Sequence, residues 1–432
     1  MDSLPVTALH ALLVVVCGLG LAFDTFEIVL GTALSAVFSA PPHALPAAQL
    51  ALLLAAVYLG AIVGAPVLGY VADKQGRRRT LMSVLLWIAL MSLAASRSQS
   101  AGQLTWLRAL AGVGLGAYPP IMMTYLTDQL PPQRRGLLVF AASSVAMLGP
   151  PAVIFLVRGL ISTHPLGLES WRWAFIVGGI GAAFVGIAFA LLPESPRWLE
   201  RTGQTSAAEL SCRRFEESRT VWGQQHGVPS STKGPALARA GVQRSVATRW
   251  SALAALFLLS PWSTTAFPLL SGAVLTQKGF RLPDTLLFIG LATLGSVLGS
   301  AVAAPAVDWF ERRAALASFG LIMMLSVAVF MVSATPVWLI CANVAFGLFA
   351  SLYTPTLALY GAELFPTSAR AGASSAAWAL NRIGSACAPL LLLPLLRSRG
   401  PEAMLAVIGA TWIVSVLVLG VSPRGQQRRA VG

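Results

Sequence analysis

Gly69-Tyr-Val-Ala-Asp73-Lys-Gln-Gly76-Arg77-Arg78-Arg79-Thr80 gathers Asp73, Lys74, Arg77, Arg78 and Arg79 into seven residues of a chain that is only 11% charged. Apolar stretches long enough to cross a bilayer flank it on both sides. Alone, such a run fits nucleic acid, anionic lipid or a solvated turn. The surroundings decide between them. Of 432 residues, 56% are hydrophobic, and the mean hydropathy is +0.74. A soluble chain carries about a quarter charged residues, so this composition excludes a large soluble domain. The net charge of +14 then reads as the orientation signal of a polytopic membrane protein, with no nucleic acid as partner.

Outward from this stretch, twelve apolar spans are expected, over 8–36, 48–72, 80–97, 103–127, 136–160, 170–192, 250–274, 284–307, 314–334, 337–361, 371–396 and 401–422. The even-to-odd connections carry Lys74 and Arg77 to Arg79, then Arg134 and Arg135, a basic interval over 194–249, Arg312 with Arg313, and Arg370. That side is predicted to be cytoplasmic and to hold both termini, placing the protein in the cell membrane. The 194–249 interval is expected to form one or two short helices near anionic lipid. No basic residue precedes the first apolar run, so a removable leader is not expected. Cys17, Cys212, Cys341 and Cys387 show no paired spacing, and His10, His43, His164 and His226 are scattered. Neither a catalytic set, a metal cluster nor a phosphate loop is present in the sequence, so no enzyme, metal or cofactor is expected.

A gapless shift of 235 residues brings unusual residues into coincidence. Gly60 and Gly64 meet Gly295 and Gly299; Asp73 meets Asp308; Arg77 and Arg78 meet Arg312 and Arg313. Gly112 meets Gly347, Tyr118 meets Tyr353, Tyr125 meets Tyr360, Arg135 meets Arg370, and Asp128 is answered by Glu363. Such an internal repeat predicts an all-α membrane protein of two pseudo-symmetric six-helix bundles, residues 1–193 and 250–432 with a linker over 194–249, as in secondary transporters. The Gly60-xxx-Gly64 and Gly295-xxx-Gly299 faces let a second helix approach closely. They fit either a sliding contact between the halves or static packing.

With these motifs in place, the chain resembles the major facilitator superfamily. The Gly69–Arg79 stretch is similar to that family's loop between spans two and three, and Ala304-Pro-Ala-Val-Asp308-Trp-Phe-Glu311-Arg312-Arg313 to its degraded second copy. Pro193-Glu194-Ser195-Pro196-Arg197-Trp198-Leu199 resembles a signature of sugar porters and organic-ion transporters. Glu363-Leu-Phe-Pro366-Thr367-Ser-Ala-Arg370 is similar to their second-half motif, and Asp128-Gln-Leu-Pro131-Pro-Gln-Arg-Arg135 to its first-half counterpart. Gly69, Asp73, Arg77, Arg78, Asp128, Arg135, Glu194, Arg197, Asp308, Arg312, Arg313, Glu363 and Arg370 are accordingly expected to form a cytoplasmic gate.

Charge inside the spans points elsewhere, because a charged side chain at a helix centre costs about 2.5–3.5 kcal/mol on insertion scales. Asp24 and Glu27 lie three apart in span one and share a face; Arg108 lies in span four and Arg382 midway along span eleven. None of the four is repeated at the 235-residue shift. Two neighbouring carboxylates in a low dielectric resist ionising together, so one can carry a proton, with Arg108 as counter-ion. A permanent structural ion pair between spans one and four is the alternative. Arg382 can meet an anionic group through both arms of its fork, or bond backbone carbonyls of a neighbouring helix. Asn381, Tyr118, Trp262 and Tyr353 are the further candidates for a substrate cavity. Pro261 and Pro268 predict a bent or broken span seven.

An Asp-x-x-Glu pair in span one with Arg-Ile-Gly in span eleven is similar to metabolite–proton symporters, niacin transporters and the synaptic-vesicle-protein-like branch. That resemblance implies proton symport of a small organic acid, often an aromatic monocarboxylate, by a monomer using alternating access. No Gln-Gln-x-x-Gly-x-Asn sugar site is visible in span seven. Gly149-Pro150-Pro151 is faintly similar to a motif of drug–proton antiporters. An exporter, a facilitative uniporter and a non-transporting sensor remain the alternatives.

Overall fold

The computed structural model describes residues 5–131, 134–222, 242–306, 311–364 and 367–422. Helices dominate it, as they must where no water is available to satisfy backbone groups. A short strand β1 (Val6–Thr7) leads into α1 (Ala8–Ser39), α2 (Ala47–Gln75), α3 (Arg77–Ala95) and α4 (Ala101–Gln129). Span five is α5 (Arg135–Ala146) with α6 (Gly149–Leu160), and span six is built on α7 (Ser170–Ala188). The linker supplies α8 (Pro196–Arg201), α9 (Thr205–Glu216) and a strand β2 (Thr220–Trp222). Span seven is α10 (Val242–Thr264) with α11 (Ala266–Gln277); α12 (Leu282–Ala306), α13 (Arg312–Val332), α14 (Pro336–Glu363), α15 (Thr367–Arg399) and α16 (Pro401–Val421) complete the chain. Among the described residues, twelve helices or helix pairs are long and apolar enough to cross a membrane.

The chain divides into two compact units: 1–224 with Leu269–Gly290, and 225–268 with Leu291–Gly432. In the first, α2 and α4 touch along their backbones. A Cβ added at Gly60 would lie 1.9 Å from the Ala109 carbonyl oxygen, at Gly64 1.8 Å from that of Val113, and at Gly112 2.1 Å from that of Val57. In the second, Gly295 faces Val344 O at 2.3 Å, Gly299 faces Leu348 O at 2.5 Å and Gly347 faces Ala292 O at 2.4 Å. Each of these partners is the 235-residue counterpart of its equivalent in the first unit. The repeat is therefore a repeat of contacts as well as of residues. Of the two readings of these glycines, it supports static packing: they lie in close contacts inside each unit, where any side chain would force the helices apart.

Two spans are broken, each next to a proline. Pro150 has no N–H to offer the Ala146 carbonyl, and α5 ends there; the Thr25 hydroxyl of α1 donates to Ala146 O at 2.8 Å instead. Pro261, inside α10, likewise deprives the Phe257 carbonyl, and span seven breaks one turn further on, at Thr265, where Pro268 has no N–H for the Thr264 carbonyl. Beside Pro261, Ser260 Oγ donates to Phe257 O at 3.3 Å and Asn381 Nδ2 donates to Ser260 Oγ at 3.1 Å. In a bilayer such repairs are obligatory, because a bare carbonyl has no water to turn to.

The linker side of the first unit holds one small addition to an otherwise helical plan. β1 pairs antiparallel with β2, and the Ala8 amide donates to Arg219 O at 2.8 Å. His10, fully buried, bridges Thr7 to the Gln129 carbonyl and lies tilted against Phe215 with ring centres 4.6 Å apart. The segment before α1 is thus tied to the linker that follows α9.

Candidate functional site

The most enclosed charges of the first unit form one cluster. Glu27 is 0% exposed and Arg108 2%. Arg108 Nη1 donates to the Glu27 main-chain oxygen at 2.9 Å and lies 3.4 Å from carboxylate oxygen Oε2. The hydroxyl of Ser92, from α3, donates to the other carboxylate oxygen. The guanidinium sits 5.8 Å from the centre of the Phe175 ring on α7. Space is cut to size: a Cβ at Gly178 would stand 2.7 Å from Glu27 Oε1. Four helices, α1, α3, α4 and α7, therefore wall in one carboxylate and one guanidinium. Burial on this scale requires pairing, since an isolated charge here would cost several kcal/mol.

Asp24 is buried one turn earlier on α1, at 2% exposure, beside the Thr25 hydroxyl that repairs the α5 break. This cluster can do one thing that a neutral core cannot. Protonating Glu27 would remove the charge that balances Arg108, so the proton and the local packing are linked. Tyr118, expected at a cavity wall, has a different place. It is fully buried, its hydroxyl donates to Cys17 O at 3.1 Å, and its ring end lies against Gly20. Tyr353 is also enclosed, edge-on to Trp412 with ring centres 5.8 Å apart. Both are buried and packed against neighbours in their own units, Tyr118 on Cys17 and Gly20 and Tyr353 on Trp412.

In the second unit, α15 lies against α10, with Gly384 so close that a Cβ would sit 2.3 Å from Leu258 O. Asn381, a substrate contact by the sequence reading, has a structural task instead. Its amide nitrogen donates to Ser260 Oγ at 3.1 Å and to the Phe257 carbonyl at 3.4 Å, the carbonyl that Pro261 leaves without an N–H. Arg382, the next residue, is half-buried and has no hydrogen-bond or ion-pair partner among the described residues. Trp262 is half-buried on the same broken span. A guanidinium in mid-span that no described group satisfies is a ready receptor for a carboxylate.

The linker-side network holds several of the expected gate residues. Glu194 accepts from the backbone amides of Arg77 at 3.1 Å, Arg78 at 3.0 Å and Ser195 at 2.9 Å, and so caps the start of α3 from a site over a hundred residues away. A carboxylate suits that place because the helix N-terminus presents unpaired N–H groups. Gly76 makes room: its φ of +102° is a glycine conformation, and a Cβ would lie 2.5 Å from Glu194. Asp128 pairs with Arg77 and accepts from Ser195 Oγ at 2.7 Å. Asp73 offers its main-chain oxygen to Trp198 Nε1 at 2.9 Å, and its carboxylate reaches Arg201 at 3.7 Å in an exposed pair.

Arg78 donates to Leu192 O at 2.8 Å and Arg135 to Leu130 O at 3.2 Å. Arg197 is exposed, and a Cβ at Gly69 would meet nothing within 4 Å. In the second unit, Arg312 is buried at the start of α13 and Arg313 donates to Gly420 O at 2.9 Å. Asp308 lies outside the described residues, as do the side chains of Glu363 and Arg370. Sequence reasoning missed Ser92, Thr25, Ser195 and Ser260, each of which completes a polar contact across helices. Ser195 lies within the Pro193–Leu199 signature; the other three had no signal beyond a hydroxyl in an apolar run or beside a proline.

Comparison with known proteins agrees with this architecture. The Major Facilitator Superfamily model matches residues 12–389. The niacin transporter NiaP of Acinetobacter baylyi is 25% identical across 100% of this chain and 98% of its own length. An arabinose-proton symporter of Bacillus subtilis is 30% identical over 36% of this chain and 34% of its own. Among solved structures, the xylose transporter XylE of E. coli superposes with a TM-score of 0.75 at 17% identity, covering 98% of this chain and 100% of that one. Twelve spans, a repeat that extends to backbone contacts and a family match over most of the sequence lead to one conclusion: the chain is a multi-pass membrane protein of the major facilitator superfamily, a transporter and not an enzyme.

Proposed function

We propose that this transporter takes up a small organic anion, an aromatic or other monocarboxylate, together with protons. The observation that carries the reading is Arg382: a half-buried guanidinium in mid-span with no partner among the described residues. The cost of placing it there is recovered when a carboxylate binds by both oxygens. Glu27, with Arg108 and Ser92, is the proton site, and Asp24 assists it from one turn away. The two centres belong to different units, so coupling works through the facing state each one favours when occupied, the requirement for alternating access. Both termini lie in the cytoplasm, as the arginine-rich connections favour, and a monomer suffices. The full-length similarity to a niacin transporter supports a carboxylate as cargo.

A sugar–proton symporter is the second reading, favoured by the likeness to the arabinose-proton symporter and to XylE. Thermal unfolding of the purified protein separates the two. Nicotinate or benzoate should stabilise the wild type, more strongly at acidic pH, and should leave Arg382→Ala unmoved. Stabilisation by xylose or arabinose with none by carboxylates would replace this reading with the second.

A further inference from the structure

A cleft of about 240 Å³ opens beside the first turn of α3, wholly within the first unit and apart from both charge centres. Three guanidiniums, of Arg78, Arg79 and Arg214, face a single carboxylate, that of Glu194. This carboxylate is already committed to three backbone amides. Arg79 is exposed and has no hydrogen-bond or ion-pair partner among the described residues. Arg78 uses Nη1 on Leu192 O, but its Nε is enclosed and makes no hydrogen bond among the described residues. Arg214 directs Nη2 to Leu191 O at 2.8 Å, which leaves the rest of its fork available. Gln75 and Gln204 also line the cleft. One wall is apolar: Trp198, held by its bond to the Asp73 carbonyl, and Leu210, which is 63% exposed.

We propose that this cleft is a binding site for one phosphate group, carried by an anionic lipid headgroup or by a small phosphate ester. Spare guanidinium forks match phosphate oxygens in geometry and charge. Basic pockets at the ends of spans are where lipid headgroups bind. A cleft of this volume has room for a phosphate with a small substituent. Because Glu194 and Arg78 also cap and anchor α3, an occupied cleft would brace the junction between the spans and the linker helices. None of this depends on what the protein transports.

The test uses the full-length protein, purified in neutral detergent and stripped of lipid. Short-chain phosphatidylglycerol is titrated by native mass spectrometry and thermal unfolding, with phosphatidylcholine of the same chain length as control. The wild type should bind one phosphatidylglycerol saturably, and Arg79→Gln should weaken binding at least tenfold. No described group bonds to Arg79, so its loss should not disturb folding; Arg79→Lys, which keeps the charge, should retain part of the affinity. Competition by millimolar inorganic phosphate would assign the site to free phosphate esters, and its failure to compete would assign it to the lipid. Equal affinity in wild type and Arg79→Gln, or equal binding of phosphatidylcholine, would overturn the proposal.

Discussion

Glu27→Gln separates a proton site from a structural brace. The substitution keeps the volume of the side chain and an oxygen for Ser92, and removes only the charge. At 3.4 Å and an effective dielectric near 20, the attraction between Arg108 and the carboxylate is about 5 kcal/mol. Part of this is returned, because the carboxylate no longer has to be kept out of water. Arg108 also keeps the Glu27 main-chain oxygen at 2.9 Å and the face of Phe175. Breaking a buried pair costs about 3–5 kcal/mol, and the surviving contacts place this case near the lower end, at about 3 kcal/mol. The variant should fold and unfold at a lower temperature than wild type. Coupling should respond more sharply. A gradient of about one pH unit supports roughly tenfold accumulation with one proton per substrate, since tenfold is about 1.4 kcal/mol. In proteoliposomes with such a gradient, Glu27→Gln should let labelled substrate equilibrate without accumulating, while exchange against preloaded substrate persists. Accumulation that still follows the pH gradient would refute the proton assignment. A folded variant that loses exchange together with accumulation would assign the pair to structure alone.

Arg382→Ala should abolish saturable binding of carboxylates without lowering the unfolding temperature, because no described group relies on its guanidinium; Arg382→Lys should retain weaker binding, and normal affinity in the alanine variant would displace the anion site. Gly64→Val should fail to accumulate in the membrane, since a Cβ would stand 1.8 Å from the Val113 carbonyl, whereas Gly69→Ala, with open space around it, should express and unfold like wild type; equal expression of both would contradict the backbone contact. Thr25→Val strips the only hydroxyl serving Ala146 O among the described residues, and should cost about 1–2 kcal/mol in thermal or denaturant unfolding; an unchanged midpoint would show that the carbonyl finds another donor.

The fold is legible in the sequence because its signals are local or periodic. Span length is a count of apolar residues, and the 235-residue echo joins residues too distinctive to coincide by accident. The loop over Gly69–Thr80 and its relatives then lead to the superfamily. What sequence could not supply was pairing across distance. Gly149-Pro150-Pro151 reads as a fragment of another family's motif, yet its physical effect is the break between α5 and α6, visible only with Thr25 beside it. Pro261 predicts a bend, but its consequence for Asn381, which donates to the carbonyl that Pro261 leaves open, required the packing of α15 on α10. Tyr118 and Tyr353 fit a cavity wall or a packed core equally well in a linear sequence; burial assigns them to packing. β1 and β2 are too short to leave a periodic trace, so the tie between the segment before α1 and the linker had no signal at all.

Coupled movement of a proton and a small organic anion is tested most directly by recording internal pH in proteoliposomes as substrate is added outside. Benzoate or nicotinate should acidify the lumen faster than in protein-free liposomes and faster than with Arg382→Ala, which corrects for the passive entry of weak acids. Acidification on adding xylose but not on adding a carboxylate, or labelled carboxylate uptake with no acidification above those controls, would contradict it.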